Sequence, residues 1–181
     1  MGNFYTNFLV VGPGQAEVAE FLSTQRRSAY ITPSAGGVVV IYDEACDTQD
    51  VDEITSLGCT LSEHFNCPIV SSLNHDDDHL FMHLFVNGKQ EAAYIWFLQA
   101  FSASWSICRH VRQLFLFPFL AMILFMPYVI FEVDRHQLIA RLMGWPLWVL
   151  SGYSYIDHGE LPPGLVKDSL IKTSAIKFTL E

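Results

Sequence analysis

The sequence predicts an α+β fold: a ferredoxin-like β-α-β-β-α-β sheet with an added hairpin, followed by an apolar segment and a small helical, aromatic C-terminal part. Three observations support this class. Short β-rich stretches recur through the first half of the chain, and two stretches between them carry apolar residues at helical spacing. In addition, the dipeptide Asn87-Gly88 separates two β-rich stretches, which is the sequence pattern of a tight hairpin.

The first strand and helix are predicted within residues 4–25. The stretch FYTNFLVVG alternates and is rich in β-forming residues, and Pro13 and Gly14 end it. The following stretch, QAEVAEFLSTQ, places Val18, Phe21 and Leu22 on one helical face. We therefore expect a strand that leads through a Pro-Gly turn into an amphipathic helix.

The next elements are two strands, a second helix and three further strands. SAYITPS and VVVIYDE are joined through Ala35-Gly36-Gly37. Asp50 is placed to cap the second helix, with Glu53 at the reciprocal position of a capping box. PIVSSLN is the next strand, and HLFMHLFV and KQEAAYIW form the hairpin. The apolar stripe of the second helix consists of Val51, Ile54, Leu57, Leu61 and Phe65.

Composition divides the chain into three parts. Residues 1–96 form the predicted sheet domain, and residues 97–131 form an apolar, aromatic-rich tract. Residues 132–181 contain a helix that Asp134 can cap, followed by an aromatic, turn-rich tail.

The charge distribution argues against a nucleic-acid partner. The formal net charge of the 181 residues is −9, and residues 1–94 hold thirteen carboxylates against Arg26, Arg27 and Lys89. Such an acidic half repels a phosphate backbone. The N-terminal stretch has no charged region before its apolar residues, so we expect a cytoplasmic protein. Its four cysteines, which show no C-x-x-C spacing, are expected to be reduced thiols.

The apolar tract is open to three interpretations. No residue from 113 to 131 is charged, and this length approaches the roughly 20 apolar residues that span a bilayer. Arg109 and Arg112 precede it, which would keep the N-terminal domain in the cytoplasm and make the protein membrane-associated. The tract is alternatively a buried globular segment, although it lacks both helical and strand periodicity. The third interpretation is an out-of-frame translation, which the coding DNA around residues 95–131 would reveal.

Three segments resemble a family of small uncharacterised bacterial proteins. They are TNFLVVGPGQAEVAEFL, LNHDDDHLFMHLFVNGKQ and VDRHQLIARLMGWPLWVLSGYSYIDHGELPPGL. The resemblance covers about residues 3–92 and 128–173, and it implies a polar, Gly- and Pro-rich link where this chain has its apolar tract. It supports the fold prediction and implies no activity.

A cluster of histidines and aspartates is the first candidate site. In LNHDDDHLFMHL, alternation along a strand puts His79 and His83 on one face. His75 and Asp77, which precede the strand, can continue this face. Imidazole and carboxylate ligands together suit zinc, manganese or iron, and a carboxylate can act as a general base toward metal-bound water. The alternative is a solvated turn in which the aspartates bond their own backbone. The candidate ligands are His75, Asp76, Asp77, Asp78, His79 and His83.

The C-terminal aromatic stretch is the second candidate site. Its aromatic and acidic residues describe either a protein-binding surface or aromatic packing followed by a turn. The residues are Trp145, Trp148, Tyr153, Tyr155, Asp157 and Glu160. Because no cluster has the spacing of a known catalytic motif, the leading hypothesis is a non-enzymatic module that binds a partner protein and needs no cofactor. A metal-dependent hydrolase and a membrane-tethered cytoplasmic domain are the alternatives.

Overall fold

The computed structural model describes residues 2–95 and 132–175. Within them the chain forms one seven-stranded antiparallel sheet and four α-helices, which confirms the α+β class. The strands are β1 (Phe4–Val11), β2 (Ala29–Ile31), β3 (Val38–Asp43), β4 (Ile69–His75), β5 (His79–Val86), β6 (Lys89–Ile95) and β7 (Ile171–Thr173). The helices are α1 (Gln15–Thr24), α2 (Val51–His64), α3 (Glu132–Met143) and α4 (Tyr153–Asp157). The strand order across the sheet is β6-β5-β4-β1-β3-β2-β7.

The β5–β6 hairpin turns where the sequence predicts. Asn87 and Gly88 have φ angles of 50° and 76°. A positive φ at both central residues is the backbone of the tight turn that matches the twist of paired strands. The hairpin continues the sheet from β4 and places β6 at the end of the described sheet.

Helices α1 and α2 cover one face of the sheet. Phe8 and Val10 of β1 and Phe85 of β5 belong to the same buried cluster as the stripe of α1 and most of the stripe of α2. Val51, predicted in the stripe of α2, is the first residue of that helix and is exposed instead. The Asp50 carboxylate accepts hydrogen bonds from the backbone of Asp52 and Glu53, so the predicted cap of α2 is present. The Glu53 carboxylate, in contrast, faces the Arg27 guanidinium at 3.4 Å instead of closing a capping box.

The C-terminal part covers the opposite face. Tyr42 of β3 and Leu84 of β5 pack in one buried cluster with Ile139 of α3, Val149 and Ile156. Val149 lies in a 3₁₀ turn, Leu147–Leu150, between α3 and α4. Both faces of the central strands β1, β3 and β4 are therefore buried.

Two details of the C-terminal part differ from a turn-rich tail. Tyr153 to Asp157 form α4 instead of an extended stretch, and the Asp47 carboxylate accepts the backbone N–H groups of Tyr153 and Ser154 at the start of this helix. Residues 171–173 form β7, which pairs with β2 at the other end of the sheet. Neither feature leaves a local sequence pattern, because cap and strand partner come from distant parts of the chain.

The interpretations of the 97–131 tract, including the span over residues 113–131, fall outside the described residues. Within residues 2–95 and 132–175, no helix combines the length and apolar character that a membrane crossing requires. In the same ranges Cys46, Cys59 and Cys67 are free thiols, and Cys108 lies outside them.

Candidate partner-binding pocket

The LNHDDDHL stretch is the turn that joins β4 to β5. Asp76 and Asp77 adopt left-handed φ angles of 54° and 58°. The Asp77 carboxylate accepts hydrogen bonds from the side-chain amides of Asn3 and Asn74 at 2.9 and 2.8 Å, and its backbone carbonyl accepts the N–H of Glu132. Asp77 thus joins the start of β1, the end of β4 and the start of α3.

The other candidate metal ligands have separate surroundings. His75 hydrogen-bonds Gln49 at 2.6 Å, and the Asp76 carboxylate accepts the backbone N–H of Gly2. Asp78 and His79 are exposed. His83 is buried beside Ser71 on the face that α1 and α2 cover, and burial lowers the pKa of its imidazole. Within residues 2–95 and 132–175, no three His, Cys, Asp or Glu side chains form a group that could hold a metal ion.

The six aromatic and acidic candidates of the C-terminal part divide between core and surface. Trp145 and Tyr153 are buried in the cluster between the sheet and the C-terminal part, and Trp148 packs against that cluster. Exposed Asp157 accepts hydrogen bonds from the Tyr30 hydroxyl and the Lys172 ammonium group. Tyr155 and Glu160 line a pocket.

This pocket has a volume of about 310 Å³, near the lower end of the range for ligand-binding pockets. Its polar lining residues are Asn3, Gln137, Ser151, Tyr155 and Glu160. Its apolar lining residues are Leu147, Leu150, Leu161, Pro162 and Pro163. The lining thus combines side chains from the start of β1, from α3 and from both sides of α4.

Close packing between β1 and the segment before α4 holds the pocket in place. The Asn7 side-chain amide donates to the backbone carbonyls of Val149 and Ser151 at 2.6 and 2.9 Å. A Cβ atom on Gly152 would lie 2.9 Å from the Tyr5 Cβ atom, so only glycine allows this approach. The Tyr155 hydroxyl accepts the backbone N–H of Phe4 at 3.2 Å, which fixes its ring at the pocket wall.

The described residues that line the pocket carry a negative charge. Glu160 is exposed, and none of the ion pairs among the described residues involves it. No Lys or Arg is among the described residues that line the pocket. A single carboxylate beside apolar walls favours a guest that carries a positive charge next to an apolar group.

A buried polar layer lies between the sheet and α3, near this pocket. The Tyr5 hydroxyl and the Nδ1 atom of fully buried His136 are 2.9 Å apart. Burial lowers the pKa of His136 to about 3 and, together with nearby Asp77, raises the pKa of Tyr5. Glu132 and Arg135 form a buried ion pair at 2.9 Å in the first turn of the same helix.

The motifs and periodicity of the sequence predict neither this layer nor most of the pocket lining. A signal was present in β1 and β4, where Tyr5, Asn7, Ser72 and Asn74 place polar groups at alternate positions of otherwise apolar strands. These four residues share one sheet face, which α3 covers.

Comparisons of the chain with models of protein families, with curated proteins and with solved structures found no match.

Proposed function

We propose that this chain is a protein-interaction module that holds a short segment of a partner protein in the pocket lined by Tyr155 and Glu160. The observation that carries the proposal is the composition of this lining: two residues of the aromatic and acidic stretch, five apolar residues and no basic residue among those described. A pocket of about 310 Å³ accommodates one or two side chains of a docked peptide.

The proposed partner segment carries a Lys or Arg next to a bulky apolar residue. Its apolar side chain packs against Leu147, Leu161 and the two prolines, while its cation approaches Glu160. The net charge of −9 on the whole chain favours a basic partner through faster association. Because Asn7, Gly152 and Tyr155 fix the pocket walls, little ordering is needed on this side of the complex.

We also propose that the scaffold beneath the pocket is a ferredoxin-like unit. Support comes from the central strand order β4-β1-β3-β2, from antiparallel pairing throughout it, and from helices that follow β1 and β3. Both helices pack in one cluster on a single face. The hairpin and β7 then extend this unit on its two sides.

Selection from a random peptide library on the purified full chain tests the proposed function. We expect enriched peptides to carry Lys or Arg beside Leu, Phe or Pro. Glu160→Lys should weaken the best peptide about tenfold, because it replaces attraction by repulsion at the pocket rim. The matched control is Glu20→Lys, which changes the same charge at an exposed position of α1 on the other side of the sheet.

Two results would contradict the proposal. One is the enrichment of peptides without basic residues. The other is an equal effect of Glu160→Lys and Glu20→Lys on peptide affinity, which would leave only the overall charge as the cause.

A further inference from the structure

The layer between the sheet and α3 contains several buried polar atoms without a hydrogen-bond partner. Among the described residues these are Oδ1 of Asn7, Oγ of Ser72, Oδ1 of Asn74 and Nε2 of His136. Each of these residues is no more than 1 % exposed. Unpaired polar atoms at such depth are rare, because each costs the full free energy of its lost hydration.

The positions of three of these residues follow from the strand register. Asn7 of β1 lies directly opposite Ser72 of β4, and Tyr5 lies directly opposite Asn74. These side chains all point to the face that α3 and the following segment cover, because they alternate with Phe8 and Leu73 on the other face. His136 reaches the same layer from α3 through its 2.9 Å contact with the Tyr5 hydroxyl.

The hydrogen-bonding roles of these atoms are largely fixed. The Asn7 amide nitrogen donates to Val149 and Ser151, and the Asn74 amide nitrogen donates to Asn3 and Asp77. The two amide oxygens are therefore acceptors, while the Ser72 hydroxyl can donate and accept. A molecule that binds in this layer must be small and must donate hydrogen bonds to the amide oxygens of Asn7 and Asn74.

We propose that this layer binds ordered water, held by the Asn7 amide oxygen and the Ser72 hydroxyl on the sheet and by Nε2 of His136 on the helix. Water fits because it supplies two donors and two acceptors, and buried waters commonly make about three hydrogen bonds. A metal cation fits less well, because the guanidinium group of Arg135 lies buried one residue from His136. In this arrangement the Tyr5 hydroxyl donates to Nδ1, and Nε2 carries the imidazole proton.

A pair of substitutions on opposite faces of the sheet tests this site. Ser72→Ala removes a hydroxyl that binds water under the proposal, so we expect the folding equilibrium constant to fall about fivefold. Thr6→Val is the matched control. The Thr6 hydroxyl is also buried without a partner, but it lies on the other face opposite apolar Leu73. Since none of the other unpaired polar atoms named above lies on that face, Thr6→Val should leave the constant unchanged or raise it.

Either of two unfolding results overturns the proposal: a Ser72→Ala variant as stable as the original chain, or equal losses for both variants. A second measurement covers the case in which Ser72→Ala does not fold. In the unsubstituted protein, nuclear Overhauser contacts should join long-lived water to the Asn7 side chain, and the ¹⁵N shifts of His136 should show the proton on Nε2. The absence of both signals also overturns the proposal.

Discussion

At the scale of single residues, Asp77 shows that a turn rich in charge can serve mainly as a structural junction. Its carboxylate and backbone carbonyl bind Asn3, Asn74 and Glu132, which lie in three separate segments. Adjacent Asp78 is exposed, and within the turn its backbone N–H donates to the carbonyl of His75. The adjacent aspartates Asp77 and Asp78 are therefore expected to contribute differently to stability.

The matched substitutions Asp77→Asn and Asp78→Asn should separate these roles. Asparagine tolerates the left-handed backbone of position 77, so the change removes charge without new strain. We expect Asp77→Asn to lower the free energy of unfolding by about 1.5 kcal/mol, since hydrogen bonds to a charged acceptor become weaker. Asp78→Asn should change it by less than about 0.5 kcal/mol. Urea denaturation measures both values, and equal losses would contradict the assignment.

Added zinc or manganese offers a check on the predicted metal site in the same turn. A site formed by His75, the three aspartates, His79 and His83 would raise the melting temperature of the unsubstituted chain as metal occupancy rises. If Asp77 acts only as a structural junction, the melting temperature stays constant on metal addition.

His136 should make folding sensitive to acid. Its pKa lies near 3 in the folded chain, below the usual value of 6.5, so the unfolded chain binds more protons between these values. The contribution of His136 to the free energy of unfolding is therefore present above pH 6.5 and is lost as the pH falls toward 3. Acidification from pH 7 to pH 4.5 should lower the free energy of unfolding by about 2 kcal/mol through this one group.

Urea denaturation of His136→Gln at the two pH values measures this contribution. The loss of stability on acidification should be about 2 kcal/mol smaller in the variant than in the original chain. His75→Gln is the control, because His75 is exposed. A His136→Gln variant that keeps the full acid sensitivity would show that other groups cause it.

At the scale of elements, α2 lies close against the sheet at Gly58. A Cβ atom at this position would overlap the ring of fully buried Phe85 in β5. Alanine is favoured over glycine in a helix by about 1 kcal/mol, but the overlap forces either the ring or the helix to move. The position is therefore determined by packing and not by helix propensity.

The substitution Gly58→Ala should lower the free energy of unfolding by about 2 kcal/mol despite the better helix former. Adding Phe85→Leu should recover part of the loss, because the smaller side chain makes room for the methyl group. A double-mutant cycle of unfolding free energies measures this coupling. Additive effects of the two substitutions would show that the contact does not limit α2.

At the scale of the whole molecule, local patterns predicted the elements better than their assembly. The Asn87-Gly88 turn, the Asp50 cap and the stripe of α2 depend on neighbouring residues. The turn, the cap and four of the five stripe residues are present, whereas Val51 is 54 % exposed. The pocket and the polar layer depend on contacts between β1 and residues more than 130 positions away, as in the Tyr5–His136 pair. Such contacts leave no periodic signal, so only isolated polar residues in β1 and β4 indicated them.

The C-terminal part, residues 132–173, covers one face of the sheet and should be essential to the folded state as a whole. Val149 is fully buried between this cover and the sheet, whereas Val166 is 61 % exposed. We expect Val149→Asp to lower the free energy of unfolding by more than about 4 kcal/mol, because it buries a carboxylate without a partner. Val166→Asp should change it by less than about 0.5 kcal/mol. Circular dichroism during thermal unfolding would measure both, and a cooperative, unshifted Val149→Asp transition would contradict this role.

The position of β7 affects how the chain folds during its synthesis. β2 forms its outer backbone pairing with residues 171–173, which are translated long after β2 and β3 have left the ribosome. Until then β2 presents unpaired N–H and C=O groups, which are a template for pairing with a second nascent chain. Slow translation or truncation before residue 171 should therefore increase aggregation, and chaperones that shield strand edges should reduce it.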